Sequence, residues 1–127
     1  EVTKLARKNK KVIIVSWHNF RLTPDEKFLQ DILIKARQGG AQIVKIAAKA
    51  NKPQDVINLA KFTLRNKKQN LITISLGKMG SISRLFFPML GSLITYTYIK
   101  SPSGPGQIPL KELEKHLRLY YPEYKQH

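Results

Sequence analysis

The sequence predicts an α/β fold of four parallel strand–helix units, treated as a single portion over residues 1–127. Three observations predict it. Short apolar runs begin near residues 12, 42, 71 and 92, amphipathic helical patterns separate them, and each run is apolar almost throughout. Strands this continuously apolar are typical of a parallel sheet that is covered on both faces. A chain of 127 residues is long enough for one modest hydrophobic core.

The first strand follows a helical segment. Val2, Leu5 and Ala6 fall on one side of a helix over residues 2–10, and the apolar strand Val12–Ser16 comes next. The chain therefore enters in the middle of a pattern, and we expect its start to be internal to something longer.

The next helix is predicted from its end signals. Residues 23–26, Thr-Pro-Asp-Glu, have the form of a capping box with Thr23 as N-cap and proline at the first helical position. Gly39-Gly40 supplies the stop. The apolar face has three-to-four spacing and consists of Phe28, Leu29, Ile32, Leu33 and Ala36.

A lysine stands in the middle of the second apolar strand, residues 41–48. A primary amine placed there faces desolvation, which disfavours its charged form and can leave a nucleophile able to condense with a ketone. Lys45 is therefore the leading candidate for a catalytic residue. By itself, a lysine in an apolar strand is as often a strand-end group whose amine reaches solvent, so this pattern alone leaves both interpretations open.

Turn residues and apolar periodicity predict the remaining elements. In order they are a helix opened by Pro53, a strand at 71–76, a short helix at 82–87 ended by Pro88, a strand at 92–98, a loop at 101–106 and a helix opened by Pro109. In the last helix we expect Leu110, Leu113, Leu117 and Tyr120 to be buried, and the tail after Pro122 is polar.

Four such units can form a small open sheet or half of an eight-stranded barrel, and the internal start favours the half barrel. In such folds the chemistry lies at the C-terminal ends of the strands. Polar residues gather there in the sequence, namely Ser16, His18, Lys45, Ser75, Lys78, Thr95 and Lys100.

Composition narrows the function classes. The chain has 23 Lys and Arg against 8 Asp and Glu, a net charge of +15, which attracts polyanions or a small anionic substrate. The basic residues are dispersed and do not alternate with aromatics, which argues against a nucleic-acid platform. The sequence has no cysteine, no apolar run that could span a bilayer and no histidine pair with metal-ligand spacing, so we expect a cytoplasmic protein without a membrane partner.

Five short motifs occur in order along residues 12–119. They are Ser16-Trp-His-Asn-Phe20 followed by Thr23-Pro24, Val44-Lys-Ile-Ala47, Gly80-Ser-Ile-Ser-Arg-Leu85, Gly91-Ser92 with Thr95, and Pro105-Gly-Gln-Ile108. In this order and spacing they resemble the C-terminal half of a type I 3-dehydroquinate dehydratase.

The resemblance implies a (β/α)8 TIM-barrel lyase of the shikimate pathway and aromatic amino acid biosynthesis. Such an enzyme dehydrates 3-dehydroquinate to 3-dehydroshikimate through a Schiff base. Lys45 matches the lysine that forms the imine, and His18 matches the histidine that acts as general acid and base. Arg84 matches the arginine that binds the substrate carboxylate.

The resemblance also implies the walls of the site. Ser103 and Gln107 match loop residues that hydrogen-bond the substrate as a lid closes, and Tyr96 falls where the family has an aromatic wall. Ile74 and Leu76 match pocket-lining positions. No metal or organic cofactor is implied.

Nothing in the chain resembles the family's first four strands, which supply further substrate-binding residues. We therefore expect a partner, either the missing N-terminal half or a second copy in a homo-oligomer. Two alternatives remain at this point. One is a class I aldolase-like Schiff-base enzyme, and the other is a non-catalytic polyanion-binding module that rests on the net charge alone.

Overall fold

The computed structural model describes residues 1–124, which form a three-stranded parallel sheet with helices, in the strand order β1-β2-β3. The elements are α1 (Val2–Lys8), β1 (Ile14–Asn19), α2 (Glu26–Gln38), β2 (Ile43–Lys49), α3 (Pro53–Arg65), β3 (Leu71–Leu76), α4 (Ser83–Phe86), a 3₁₀ helix (Phe87–Leu90) and α5 (Leu110–Tyr120). No helix within this range is long and apolar enough to cross a bilayer. The end of the predicted polar tail, residues 125–127, lies outside the described residues.

The strand register brings the two predicted catalytic residues to one face of the sheet. Ser16 lies opposite Lys45 across β1 and β2, and His18 lies opposite Ala47. Because side chains alternate along a strand, Lys45 and Ala47 project to the same side, and so does His18 on the neighbouring strand. The first strand was predicted at Val12–Ser16, but it covers Ile14–Asn19, so His18 lies inside β1 rather than beyond its end.

The opposite face of the sheet carries the hydrophobic core. Val44 and Ile46 of β2 are fully buried against helical residues that include Leu33, Leu59 and Phe62. The apolar stripes of α2 and α3 cover this face, as their three-to-four spacing predicts. The predicted α/β class with parallel strands is confirmed.

The cap of α2 differs from the prediction. Asp25 is the N-cap, and its side chain accepts a hydrogen bond of 2.8 Å from the backbone N–H of Phe28. Thr23 is used elsewhere, since its hydroxyl donates to the carbonyl of Lys49 at 2.9 Å. The predicted Thr23 cap is therefore wrong, because an aspartate two residues later fills the same role and leaves Pro24 outside the helix.

The fourth predicted strand, residues 92–98, lies beside β3 without forming a ladder with it. The backbone N–H of Leu93 donates to the carbonyl of Leu71 at 2.8 Å. At the next step, the hydroxyl of Ser92 accepts from the Thr73 N–H at 3.0 Å and lies 3.4 Å from the Thr73 carbonyl. The prediction of a fourth hydrogen-bonded strand is wrong, because a serine side chain takes the place that its backbone would occupy.

The short helix before this segment is also different. It covers Ser83–Phe86 and continues into the 3₁₀ helix, whose first turn contains Pro88. Pro88 therefore does not end helical structure. Proline has no backbone N–H, and the N–H groups in the first turn of a helix have no partner within the helix, so proline is tolerated there.

The last helix buries a narrower face than predicted. Leu113 is buried and Leu117 half-buried, whereas Leu110 and Tyr120 are 37% and 55% exposed. Helix α5 packs on α4 through one side only. The predicted burial of Leu110 and Tyr120 is wrong for that reason.

Candidate active site

One cavity of about 230 Å³ lies on the open face of the sheet and contains all six predicted site residues. They come from five parts of the chain: His18 from β1, Lys45 from β2, Arg84 from α4, Tyr96 from the segment after Gly91, and Ser103 and Gln107 from the loop that follows. The lining is His18, Phe20, Lys45, Ala47, Ile74, Leu76, Arg84, Tyr96, Ser103, Gly104 and Gln107.

Lys45 is held in the middle of β2 and is half-buried. Its Nζ lies 4.3 Å from the ring centroid of Tyr96, a cation–π contact. Tyr96 itself packs against an apolar cluster that contains Ala47, Ile72 and Ile74. The aromatic ring therefore fixes the place of the amine in the cavity and forms its wall.

His18 stands near the C-terminal end of β1 and stacks on Phe20, with ring centroids 5.8 Å apart and an interplanar angle of 9°. Partial burial, and then the positive charge of Lys45, lower the pKa of His18 below its ordinary value of 6.5. At neutral pH the imidazole is therefore free to accept a proton.

Phe20 lines the cavity although no role was predicted for it from the sequence. It belongs to the first motif, two positions after His18. That spacing is the signal that could have identified it, because residues at i and i+2 of an extended chain share a face. The loop that carries it is anchored, since the Asn19 side chain accepts from the N–H groups of Arg21 and Leu22 at 2.9 and 3.0 Å.

Arg84 is 4% exposed, in helix α4. Its Nη1 donates to the carbonyl of Ser75 at 3.1 Å, while its Nε has no hydrogen-bond partner among residues 1–124. No carboxylate of the described chain forms a salt bridge with it. Burial lowers its pKa below the ordinary value. A guanidinium that lines a cavity and has no counter-ion among the described residues is suited to bind an anion there.

Ser103 and Gln107 hydrogen-bond each other across the predicted lid. The Ser103 N–H donates to Gln107 Oε1 at 2.7 Å, and Gln107 Nε2 donates to Ser103 Oγ at 2.9 Å. The loop rests on Gly77, whose N–H donates to the carbonyl of Pro105 at 3.2 Å. At Gly106, with a φ of +85°, an added Cβ would come within 2.2 Å of the Gly77 carbonyl oxygen, so the close approach requires glycine.

Other polar residues at the strand ends do not line the cavity. Ser75 is fully buried under the loop that precedes α4, and Thr95 donates to the carbonyl of Arg84 at 2.6 Å. Lys78 and Lys100 are exposed, and neither they nor Ser16 belong to the lining. The polar residues at the strand ends therefore predicted which end of the sheet carries the cavity, but only His18 and Lys45 among them line it.

The lining combines an amine, an imidazole and a guanidinium with hydroxyl and amide groups, and it contains no carboxylate. In the described part of the chain, no group of three or more His, Cys, Asp or Glu residues could hold a metal ion. The amine can condense with a ketone, the imidazole can move a proton, and the guanidinium can bind an anionic substituent.

A family model described as "Type I 3-dehydroquinase" matches residues 1–123. The chain belongs to this family. The resemblance that the five motifs indicated is thereby confirmed.

Curated 3-dehydroquinate dehydratases support the same membership. The protein of Methanococcoides burtonii is 36% identical over 118 residues, which are 93% of this chain and 50% of that protein. The protein of Aquifex aeolicus is 40% identical over 121 residues, covering 94% and 52%. The chain thus spans about half the length of the type I dehydroquinases that it matches.

Solved structures agree in fold. The 3-dehydroquinate dehydratase of Geobacillus kaustophilus superposes with a TM-score of 0.87 at 28% identity, covering 98% of this chain and 49% of that one. The type I enzyme of Clostridium difficile, solved with covalently modified comenic acid, gives 0.87 at 35% identity and covers 97% and 50%. A three-stranded parallel sheet with helices that fits half of a type I dehydroquinase is consistent with the predicted half barrel.

Proposed function

We propose that this chain carries the imine-forming part of a 3-dehydroquinate dehydratase site, which converts 3-dehydroquinate to 3-dehydroshikimate. The observation that carries the proposal is the single cavity in which Lys45, His18 and Arg84 meet. Family membership supports the reaction class, a hydro-lyase of the shikimate pathway. The solved relative that holds covalently modified comenic acid supports covalent chemistry in this family.

The reaction proceeds through a lysine imine. The amine of Lys45 adds to the substrate ketone, and loss of water gives a cationic imine. The positive charge acidifies the adjacent C–H, and the neutral imidazole of His18 removes that proton. The electron pair left behind expels the hydroxyl from the next carbon, and His18 returns the proton so that it leaves as water. Addition of water to the imine then releases the product and restores the amine.

Arg84 and the lid orient the substrate in this scheme. Arg84 lines the cavity and forms no salt bridge with a carboxylate of the described chain, so a substrate carboxylate can bind its guanidinium as a charge-assisted acceptor. Ser103 and Gln107 exchange their mutual hydrogen bonds for bonds to the substrate carboxylate and hydroxyls. The net charge of +15 raises the local concentration of an anionic substrate.

We also propose that this chain binds a partner that supplies the other half of the barrel. Because the chain spans about half of its relatives, an N-terminal half like theirs is the first candidate and a second copy is the other. A cytoplasmic location remains a prediction. No feature of the cavity favours the aldolase-like or polyanion-binding alternatives, and the family membership argues against both.

Borohydride trapping tests the proposal. The chain is incubated with 3-dehydroquinate and sodium borohydride, and the intact mass and peptide map are read. We expect one reduced adduct on Lys45, and Lys45→Met removes it because the imine cannot form. Lys49→Met is the matched control, since Lys49 is an exposed lysine on the same strand and should leave the adduct unchanged.

The same experiment is run with an N-terminal half of a relative added. An adduct on Lys45 only in the mixture would mean that imine formation needs both halves. Adducts spread over exposed lysines, or none in either sample, would contradict the proposed function.

A further inference from the structure

We propose that Ser83 is a positioning residue that holds the guanidinium of Arg84 at the anion-binding place in the cavity. This inference rests on the proposed function, because it assigns a role within the same site. No role for Ser83 follows from its place in the motif, and it does not line the cavity.

The side chain of Ser83 is bound to the open edge of β3. Its Oγ accepts a hydrogen bond from the Ser75 N–H at 3.0 Å and lies 3.3 Å from the Ser75 carbonyl oxygen, to which it can donate. Ser83 is 2% exposed, so these bonds form away from water. The hydroxyl thereby connects the start of α4 to the C-terminal end of β3.

Arg84 uses the same carbonyl. Its Nη1 donates to the Ser75 carbonyl at 3.1 Å and lies 3.5 Å from the Ser83 hydroxyl. One side of the guanidinium is therefore fixed by a strand carbonyl whose position Ser83 secures, and the Nε remains without a partner in the described chain. A planar guanidinium held on one side has a defined orientation in the cavity that Arg84 lines.

The backbone around Arg84 is fixed as well. Thr95 donates to the Arg84 carbonyl at 2.6 Å, and Gly80 lies so close to β3 that an added Cβ would come within 2.3 Å of the Ser75 carbonyl oxygen. With the main chain held in this way, the Ser83 hydroxyl determines the position of the Ser75 carbonyl and therefore of the guanidinium that donates to it.

Ser92 provides a matched control on the same strand edge. It binds the N–H and carbonyl of Thr73 in the same manner as Ser83 binds those of Ser75, and it is 5% exposed. Ser92 has no hydrogen bond to Arg84 among those of residues 1–124. A purely structural role for the edge serines predicts equal effects of Ser83→Ala and Ser92→Ala, whereas a positioning role predicts a difference in anion binding.

The test measures binding of cyclohexanecarboxylate, which carries the anion but no ketone, so that Lys45 chemistry does not enter. Saturation-transfer NMR follows the ligand and is usable whatever the oligomeric state of the chain. Arg84→Met defines non-specific binding, which is subtracted. We expect Ser83→Ala to raise the dissociation constant about tenfold, since charge-assisted bonds depend on geometry, and Ser92→Ala to leave it unchanged.

Ser83→Cys is the second variant, because it keeps the side chain's size but bonds weakly, and it should also weaken binding. Equal weakening by Ser83→Ala and Ser92→Ala, or binding that Ser83→Ala does not change, would overturn the inference. Wild-type binding no stronger than that of Arg84→Met would overturn it too. Failure of the proposed function shows separately, as a missing Lys45 adduct in the borohydride experiment.

Discussion

Among single residues, His18 is the one whose pKa its neighbours in the cavity alter most clearly. His18 and Lys45 lie on the same face of neighbouring strands, and the charge of the lysine adds to burial in lowering the pKa of His18. In the proposed reaction, a histidine that is neutral at physiological pH can remove the C–H proton after the imine has formed. Partial burial and the charge of Lys45 thus favour the neutral imidazole that the proposed proton transfer requires.

The pKa of His18 is a direct test of this arrangement. NMR titration of the imidazole protons should give a value below 6.5 in the wild-type chain, and Lys45→Met should raise it. The rise should be incomplete, because burial is the larger cause and remains in the variant. His18→Gln identifies the resonance. A wild-type value at or above 6.5 would contradict the prediction.

The same shift predicts a dependence of stability on pH. Because the pKa of His18 is lower in the folded chain, the unfolded chain binds more protons between that value and 6.5. The free energy of unfolding should therefore fall as the pH falls through this window. Urea unfolding at a series of pH values should show a smaller fall in His18→Gln, and an unchanged slope in that variant would show that other groups are responsible.

At the scale of elements, the open edge of β3 explains both the fourth segment and the placing of Arg84. The hydroxyls of Ser92 and Ser83 bind the N–H and carbonyl groups of Thr73 and Ser75, which a fourth strand would otherwise pair. The chain after Gly91 is thus free to turn Tyr96 toward Lys45. The two serine side chains thus satisfy the backbone groups at the edge of β3 and also help to place Arg84 in the cavity.

Gly80 makes this edge possible, and replacing it should be harmful. Gly80→Ala places a Cβ 2.3 Å from the Ser75 carbonyl oxygen, so the loop must move away from β3. We expect a loss of about 1–3 kcal/mol in the free energy of unfolding, as for overpacking, together with weaker cyclohexanecarboxylate binding. Chemical denaturation and the ligand titration measure the two effects.

Gly104→Ala is the control for this change. An added Cβ there meets no atom within 4 Å, and the φ of Gly104 lies outside the left-handed region. This variant should be neutral or stabilise the chain by up to about 1 kcal/mol, because alanine restricts the unfolded state. Equal destabilisation by both alanines would show that the close approach of Gly80 to β3 is not the cause.

At the scale of the whole molecule, apolar groups remain uncovered within residues 1–124. Ile14 of the edge strand β1 is 43% exposed, and Val12 just before it is 63% exposed. Helix α1 buries no residue, and its Val2 is 80% exposed. An edge strand and a helix that expose apolar groups favour association with another chain.

We therefore expect the isolated chain not to be a stable monomer. Light scattering at micromolar concentration should show dimers or larger species, and adding an N-terminal half of a relative should convert them to a one-to-one complex. Ile14→Lys should reduce self-association, because a charge on an open edge opposes strand pairing. Leu64→Lys, on an exposed position of α3, is the control and should leave the association state unchanged. A compact monomer that unfolds cooperatively would contradict the prediction.

Much of the fold was predictable because its signals are local. The strand Leu71–Leu76 has the predicted bounds and a helix begins at Pro53 as predicted, since an apolar run and a proline define them locally. The errors occurred where a distant group competes for the same position. Thr23 lost its predicted cap role to Asp25 and bonds the Lys49 carbonyl instead, and Ser92 replaced a backbone partner of β3.

Residue type and spacing along the chain were sufficient to predict the parallel α/β class, the lysine in the middle of an apolar strand and the family. The tertiary structure was needed to place the six predicted site residues in one cavity and to separate them from the other candidates. Phe20 joined it and Ser75 did not, because the direction of a side chain depends on strand register and on loops that pack from elsewhere. The place of Arg84 in the cavity also depends on tertiary structure, since it results from contacts between β3, α4 and the segment after Gly91.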